Sequence, residues 1–389
     1  MTGKNKLNVI AVLLVCLAAF FAACGGTVKS NRLYPIVKDG KWGYINNQGV
    51  IIIEPQFDAA RDFHDGLALV SKFDKSGNKN PMTNQPDDKD GYIDETGKFV
   101  IEPQFVSQRN MSDKSADDFS EGLAVVQIDW TLDKSTSPGT LQRNYACIDK
   151  TGKVVFKKDP KHRVTDNFSD GRLLFMDDST KKYGYLDKTG SVVIEPKYTT
   201  AFPFSEGLAA VSDFVQRGGD VFKGIYYGFI DANGKTVIDF QFKHAGSFSE
   251  GLARVTEDDQ YFGYIDKTDK QIIKPQFPAA GDFHDGLAVL PQTASYQFTD
   301  KDGKVIPGDY GTVLTNFSEG AALIEDNKKR LQIIDKSGKI VAPVDVAFAL
   351  EQISSISKSF EGGLLRINTK DKTLYYINTD GKIVWQGKL

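Results

Sequence analysis

The stretch DFHDGLA occupies residues 62–68 and returns unchanged at 282–288, so a histidine and a carboxylate stand side by side twice, as His64 with Asp65 and His284 with Asp285. Such a pair is raw material for general acid–base work, and Glu121, Glu206 and Glu250 would supply carboxylates for a two-acid hydrolase. Either chemistry needs one set of groups converging once. Here the same slot is filled by FSEGLA at Phe119, Phe204 and Phe248, by FSDGRL at Phe168 and by FSEGAA at Phe317. A proton-transfer residue cannot be exchanged for serine while the chemistry persists in each unit, whereas a half-exposed turn position accepts both. The histidines His64, His162, His244 and His284 show no close ligand spacing, and no Cys pair accompanies them. No nucleophile elbow, phosphate loop or dinucleotide fingerprint is present. The sequence therefore predicts no catalytic set, no metal and no cofactor, with a carboxylate-dependent glycan hydrolase as the enzymatic alternative.

The elements that carry these residues are repeats. Nine segments share one grammar, and in the regular part of the chain Gly228, Gly263, Gln297 and Gln332 are 35, 34 and 35 residues apart. Each copy reads as three strands. The first, such as YGYLD at 183–187, alternates aromatic and aliphatic side chains and ends at an acid. The second, such as SVVIEP at 191–196, stacks apolar residues consecutively, as a strand covered on both faces would. The third is LALV at 67–70 or a relative of it. Between the first two, Asp187-Lys188-Thr189-Gly190 and its counterparts predict turns capped by the carboxylate and closed by glycine. A second set of turns is marked by an aromatic anchor, an acid and a glycine, at Gly66, Gly122, Gly171, Gly207, Gly251, Gly286 and Gly320. The proline of EPQF ends the second strand because it cannot donate to a ladder, and Phe57, Phe105, Tyr198, Phe242 and Phe277 beyond it are expected in the core. SFEGGLL around Phe360 is expected to lose the spacer and close the array imperfectly.

At these residues the chain resembles the WG-repeat, or KWG-repeat, family of bacterial proteins. The segment KWGYINNQGVIIIEPQFDAARDFHDGLALV, from Lys41 to Val70, carries the lysine, Trp42-Gly43, the glycine turn, the I-x-P-x-F stretch and F-x-D-G-L-A. Only Trp42 keeps the tryptophan; Tyr183, Tyr227 and Phe262 replace it elsewhere. The resemblance implies a β-rich repeat used for binding and no particular chemistry.

The first 23 residues read differently. Lys4 and Lys6 precede an uncharged stretch from Asn8 to Ala23, which predicts a signal peptide over 1–23. Its exit, FAAC, resembles the lipobox of bacterial lipoproteins and makes Cys24 the lipidation site, with 24–33 as a tether spanning at most about 30 Å. Several acyl chains anchor stably where one is marginal. Cys16 would leave with the signal and Cys24 would carry lipid, so Cys147 remains without a disulfide partner and is expected as a small buried apolar residue. Removal of Lys4 and Lys6 shifts the formal charge from −3 to −5, which argues against nucleic acid as a partner.

The expected fold is all-β: an array of about nine three-stranded antiparallel β-meander repeats over 34–389, either an open or superhelical array, which the uneven units favour, or a propeller-like ring. Long insertions at 73–90, 128–144 and 212–224 separate strand three of one copy from strand one of the next, and would project as loops from one edge. Within them Trp130, Phe222 and Arg143 are the candidate contact residues. The functional expectation is a membrane-anchored, non-enzymatic scaffold of the cell envelope, at the periplasm or cell surface, that binds a protein or peptide; the alternative is a glycan-binding lipoprotein. If Cys24 is the lipid site, Cys24→Ser should leave an unprocessed precursor that incorporates no radiolabelled palmitate. Equal labelling of that variant would remove the anchor.

Overall fold

The structure, a computed structural model, describes residues 32–73, 88–107, 118–133, 140–164, 166–215, 224–292, 295–346 and 348–389. The predicted signal peptide and Cys24 lie outside these residues, as does Phe222. Every sheet is antiparallel and built from consecutive strands. Sheet 2 shows the plan: Ala59–His64, Leu67–Lys72, Lys89–Ile93 and Phe99–Val106, in that order. The remaining sheets cover 34–57 (sheet 1), 123–157 (3), 162–198 (4), 200–242 (5) and 244–277 (6). Sheets 7 and 8 lie within 283–343 and share the long strand Val305–Val313, and sheet 9 covers 353–388.

Nine units are present among the described residues, as the grammar predicts, but the frame differs in two respects. The LALV strand pairs with the aromatic strand that follows it, as Leu69 opposite Tyr92 and Ala210 opposite Phe229 show. A sequence copy therefore straddles two sheets. In addition, most sheets gain a short leading strand from the residues after EPQF, such as His162–Val164 or Phe283–His284. Two to four paired residues leave no periodicity to read.

The aromatic strand owes its glycine to its neighbour. In sheet 4 Tyr183 faces Tyr198 and Tyr185 faces Ile194, so one residue on one strand opposes three on the other, a bulge formed by Glu195, Pro196 and Lys197. A Cβ on Gly184 would stand 2.5 Å from the Ile194 carbonyl oxygen, and one on Gly91 2.6 Å from that of Ile101. Gly43, the glycine of Trp42-Gly43, meets Ile53 in the same manner. Beyond the bulge Phe57, Phe105, Tyr198, Phe242 and Phe277 are buried as expected. The strand carrying the bulge is not covered on both faces, however. Only its third position is buried, as Ile53, Ile101, Ile194, Ile238 and Ile273, while Ile52, Val100, Val193, Val237 and Ile272 are exposed. It is the outward edge of the sheet, so a continuous apolar run marks an edge here.

Nine core clusters join neighbouring sheets. In six of the joints an aromatic ring of one sheet meets the phenylalanine anchor of the next at 4.7–4.9 Å between centroids: Tyr44 with Phe63, Tyr92 with Phe119, Tyr185 with Phe204, Phe229 with Phe248, Tyr264 with Phe283, and Phe298 with Phe317. Cys147 and Ile333 stand in for the first ring against Phe168 and Phe360. The Tyr44, Tyr185 and Tyr264 hydroxyls donate to the carbonyls of Arg61, Phe202 and Gly281 in the next unit, at 2.8, 2.8 and 2.7 Å.

The ninth joint closes the array. Leu364, Leu374 and Tyr376 of sheet 9 share a buried cluster with Tyr34, Ile36 and Ile45 of sheet 1. Tyr34 and Tyr376 meet edge to face at 5.5 Å, and the Tyr376 hydroxyl donates to the Pro35 carbonyl. The favoured open array therefore gives way to the propeller-like ring. Uneven unit lengths do not prevent closure, because the described part of the added length extends the hairpins Leu123–Asp133 with Thr140–Asp149 and Leu208–Val215 with Gly224–Asp231 instead of entering the joints. Gly184→Ala should lower the unfolding free energy by about 1–3 kcal/mol in guanidinium titrations, since the bulged backbone of the same sheet has to move.

Candidate functional site

The ring has two faces. Along each sheet, the turns before the LALV strand and after the aromatic strand fall at one end, and the hairpins between those strands fall at the other. The first end is the turn face. After the aromatic strand, the Asp187 carboxylate accepts from Thr189 N at 2.8 Å, Thr189 Oγ1 at 2.6 Å and Ser191 N at 3.0 Å. Asp94, Asp149, Asp266 and Asp335 accept in the same pattern. The Thr or Ser hydroxyl, followed by backbone N–H groups, holds each carboxyl below its ordinary range. These are the capped turns that the sequence predicts.

The second set of turns shows what the sequence conceals. Gly66, Gly122, Gly171, Gly207, Gly251, Gly286 and Gly320 have positive φ, and so do the acids before them, Asp65, Glu121, Asp170, Glu206, Glu250, Asp285 and Glu319. Two successive positive φ values make a type I′ turn, whose twist matches a hairpin. Glutamate has no local reason to sit there, and strain of roughly 1–2 kcal/mol is expected. The offset comes from the neighbouring unit: Asp65 accepts from Gly122 N at 2.7 Å, Glu121 from Gly171 N at 2.9 Å, Asp170 from Gly207 N at 2.6 Å, Glu250 from Gly286 N at 2.9 Å and Asp285 from Gly320 N at 2.7 Å. A lysine of the next unit adds an ion pair in four places, Lys188 to Glu121, Lys267 to Glu206, Lys301 to Glu250 and Lys336 to Asp285, at 2.9–3.1 Å. The turn serine joins too: Ser120, Ser169, Ser205 and Ser249 Oγ donate to the carbonyls of Phe168, Phe204, Phe248 and Phe283.

The last copy keeps this turn. Glu361 takes the serine place, while Gly362 and Gly363, both at positive φ, take the acid and glycine places. The spacer is therefore not lost, and Glu319 accepts from Gly362 N and Gly363 N at 2.6 and 2.7 Å. Glu361 pairs instead with Arg32 across the seam.

The residues weighed as catalytic are dispersed. Asp118 is 4.0 Å from His64, His244 pairs with Asp259 at 3.2 Å, and the His162 ring meets that of Phe175 at 4.1 Å between centroids with a tilt of 38°. Among the described residues no three His, Cys, Asp or Glu side chains gather as a metal site. Cys147 is buried and burial pushes its thiol up to about 12, away from the thiolate.

The other end is the hairpin face. The insertions at 73–90, 128–144 and 212–224 are not loops between units. Each sits between paired strands of one sheet, and two of them lengthen those strands: Leu123–Asp133 pairs with Thr140–Asp149, and Leu208–Val215 with Gly224–Asp231. Trp130 lies directly opposite Arg143 in the first arm, so these two candidates are brought together. The structure adds exposed apolar residues that the sequence reading missed: Phe73, Phe214 and Ile225 on or beside the arms, and Tyr261 at the corresponding hairpin of sheet 6. Lys182 of sheet 4 lies 5.5 Å from the centroid of the Phe214 ring. Their signal was present, since a strand that carries its alternation past its partner's last core residue must expose the surplus.

The family model of the WG containing repeat matches residues 42–75, 91–129, 183–213, 227–261 and 262–290. Among solved structures, BamB from Moraxella catarrhalis is 12% identical, with 67% of this chain and 77% of that one covered and a TM-score of 0.37. Hsv2 from Kluyveromyces lactis is 12% identical over 59% of this chain and 83% of its own, at 0.39. The WD40 beta propeller domain of Doa1 is 12% identical over 57% and 80%, at 0.31. No curated protein matches the sequence.

The girdle of acids sets a pH dependence. Burial pushes Glu250 and Asp285 upward, but the lysine and glycine N–H bonds outweigh it, so both stand below their ordinary values. A depressed folded pKa contributes stability that is complete above the unfolded value, about 4, and is lost as pH falls through the folded one. The thermal midpoint should hold from pH 7 to 5 and fall below about pH 4. Asp285→Ala should cost about 1–3 kcal/mol at neutral pH, because Gly320 N loses its acceptor, and should flatten that acid limb.

Proposed function

Taking this chain as a WG-repeat protein, we propose that it is a non-enzymatic binding scaffold of the bacterial cell envelope, exported, held at a membrane by lipid on Cys24, and engaging a protein or peptide through its hairpin face. The observation that carries this reading is the division of labour between the faces. On the turn face the acids and lysines are spent on one another and on neighbouring glycines. On the hairpin face the variation in length accumulates, and Phe73, Phe214 and Ile225 present apolar surface without a cover. Exposed aromatic and aliphatic groups on a rigid frame suit protein recognition, because little freedom is lost on docking. Carboxylates already bonded to N–H groups and ammonium groups are poor general acids and bases, which supports a role without catalysis. The short tether would keep the ring within about 30 Å of the bilayer.

The test is capture from the native envelope by the intact chain, by a Phe214→Ala, Ile225→Ala double variant, and by variants with each hairpin tip replaced by a two-residue turn. A specific partner should be lost at least tenfold from the double variant or one tip variant, with melting unchanged. Undiminished capture by all of them would reject the hairpin face as the contact surface.

A further inference from the structure

On the hairpin face of sheet 9 a cleft of about 330 Å³ opens between the 3₁₀ turn Leu350–Gln352 and the hairpin joining Leu364–Thr369 to Thr373–Asn378. It belongs to none of the insertions, and its volume falls in the range of small-ligand sites, about 300–1,000 Å³. Its apolar part is an aromatic corner: Phe348 and Tyr375 meet at 4.8 Å between centroids with a tilt of 50°, both half-buried against the core joining sheets 8 and 9. Around that corner stand Glu351, Gln352, Lys370 and Asp371.

Two of these polar side chains, Asp371 and Gln352, are held in place. Asp371 accepts from Thr369 Oγ1 at 2.5 Å, Thr373 Oγ1 at 3.0 Å and Lys388 Nζ at 2.8 Å. Four lone-pair sites on a carboxylate leave capacity for one further donor. Gln352 Oε1 accepts from Ala349 N at 3.1 Å, fixing the side chain while its NH₂ remains to donate. Lys370 N donates to the Gln352 carbonyl at 2.7 Å and ties the hairpin to the 3₁₀ turn. An aromatic wall bordered by fixed donors and acceptors matches one class of small molecule. A pyranose ring has an apolar face of C–H groups, which an aromatic ring's negative face attracts, and a rim of hydroxyls that both donate and accept.

We propose that this cleft is a saccharide site, taking a pyranose with one face on Phe348 and Tyr375 and its hydroxyls on Glu351, Gln352 and Asp371. The site lies on the same face as the proposed protein contact but shares none of its residues, Phe73, Phe214 and Ile225. Groups held in their bound geometry beforehand lower the ordering cost of binding a flexible, strongly hydrated ligand. The cleft selects for sugars over apolar side chains, which would leave those polar groups unpaired.

The experiment is saturation-transfer NMR of the purified full chain with methyl glucoside, methyl galactoside and N-acetylglucosamine, followed by a glycan array. At least one sugar should receive saturation at its ring C–H protons. Phe348→Ala should weaken it about tenfold or more, and Gln352→Ala, on the exposed turn, should weaken it with unchanged melting. Trp130→Ala should leave it intact. Absence of saturation for all three sugars together with a blank array would overturn the proposal, as would binding undisturbed by both cleft variants or abolished by Trp130→Ala. Because the capture experiment above uses other residues, failure of one reading leaves the other standing.

Discussion

No sheet of this chain can hide its own faces. Three or four short strands make a unit that is marginal alone, so each must be covered on both sides by a neighbour. The contact that achieves this is an aromatic ring on the aromatic strand of one sheet set against the phenylalanine anchor of the next. Such a pair contributes about 0.5–1.5 kcal/mol beyond the area it buries. Its greater effect is positional. The anchor immediately precedes the I′ turn, so placing the ring also places the acid against the following glycine, the serine against the following carbonyl and the lysine within reach. Closure follows from the same rule, for sheets 1 and 9 would otherwise each leave a face bare, and Tyr34 with Tyr376 supplies the missing pair.

Much of this was legible. The Asp-x-x-Gly turns, the buried aromatics after the proline and the buried Cys147 follow from periodicity and turn chemistry. Three features did not, each for a physical reason. The frame of the sheets was hidden because pairing between Leu208–Val215 and Gly224–Asp231 obeys hydrogen-bond geometry, while the written repeat begins wherever the letters look most alike. The outward position of the IIIEP strand was hidden because burial of one residue in three and of every residue give the same string when the less buried ones are also valine or isoleucine. The role of Glu206 and Glu250 was hidden because a residue at positive φ with a partner some 36–45 positions away has no local signature. The insertions share one end of the sheets, as equivalent connections must, although between paired strands and not between units; the choice of Trp130 within them rested on residue type alone.

The histidine slot shows how a repeat protects against over-reading. His64 stands 4.0 Å from Asp118, close enough to suggest chemistry in isolation. Its counterparts are serines that tie one turn to the next, so a position defined by its hydrogen bond to a neighbour accepts any side chain that does not disturb the turn. Departures from the pattern carry more information. Gly362 replaces an acid at the one turn whose successor has Arg32 in the glycine's place, and the cleft beside Phe348 lies where the chain between sheets 8 and 9 leaves the common plan.

The bulge of Glu195, Pro196 and Lys197 has a wider effect than room for Gly184. A ring of sheets ends outward in free strands, and those here carry exposed valine and isoleucine, the composition that recruits a second strand and begins aggregation. Proline removes a donor from the ladder, and the bulge turns the remaining groups out of register with any incoming chain. Pro55, Pro103, Pro196 and Pro275 thus act as gatekeepers along the rim, keeping an apolar border soluble by making it unfit for pairing.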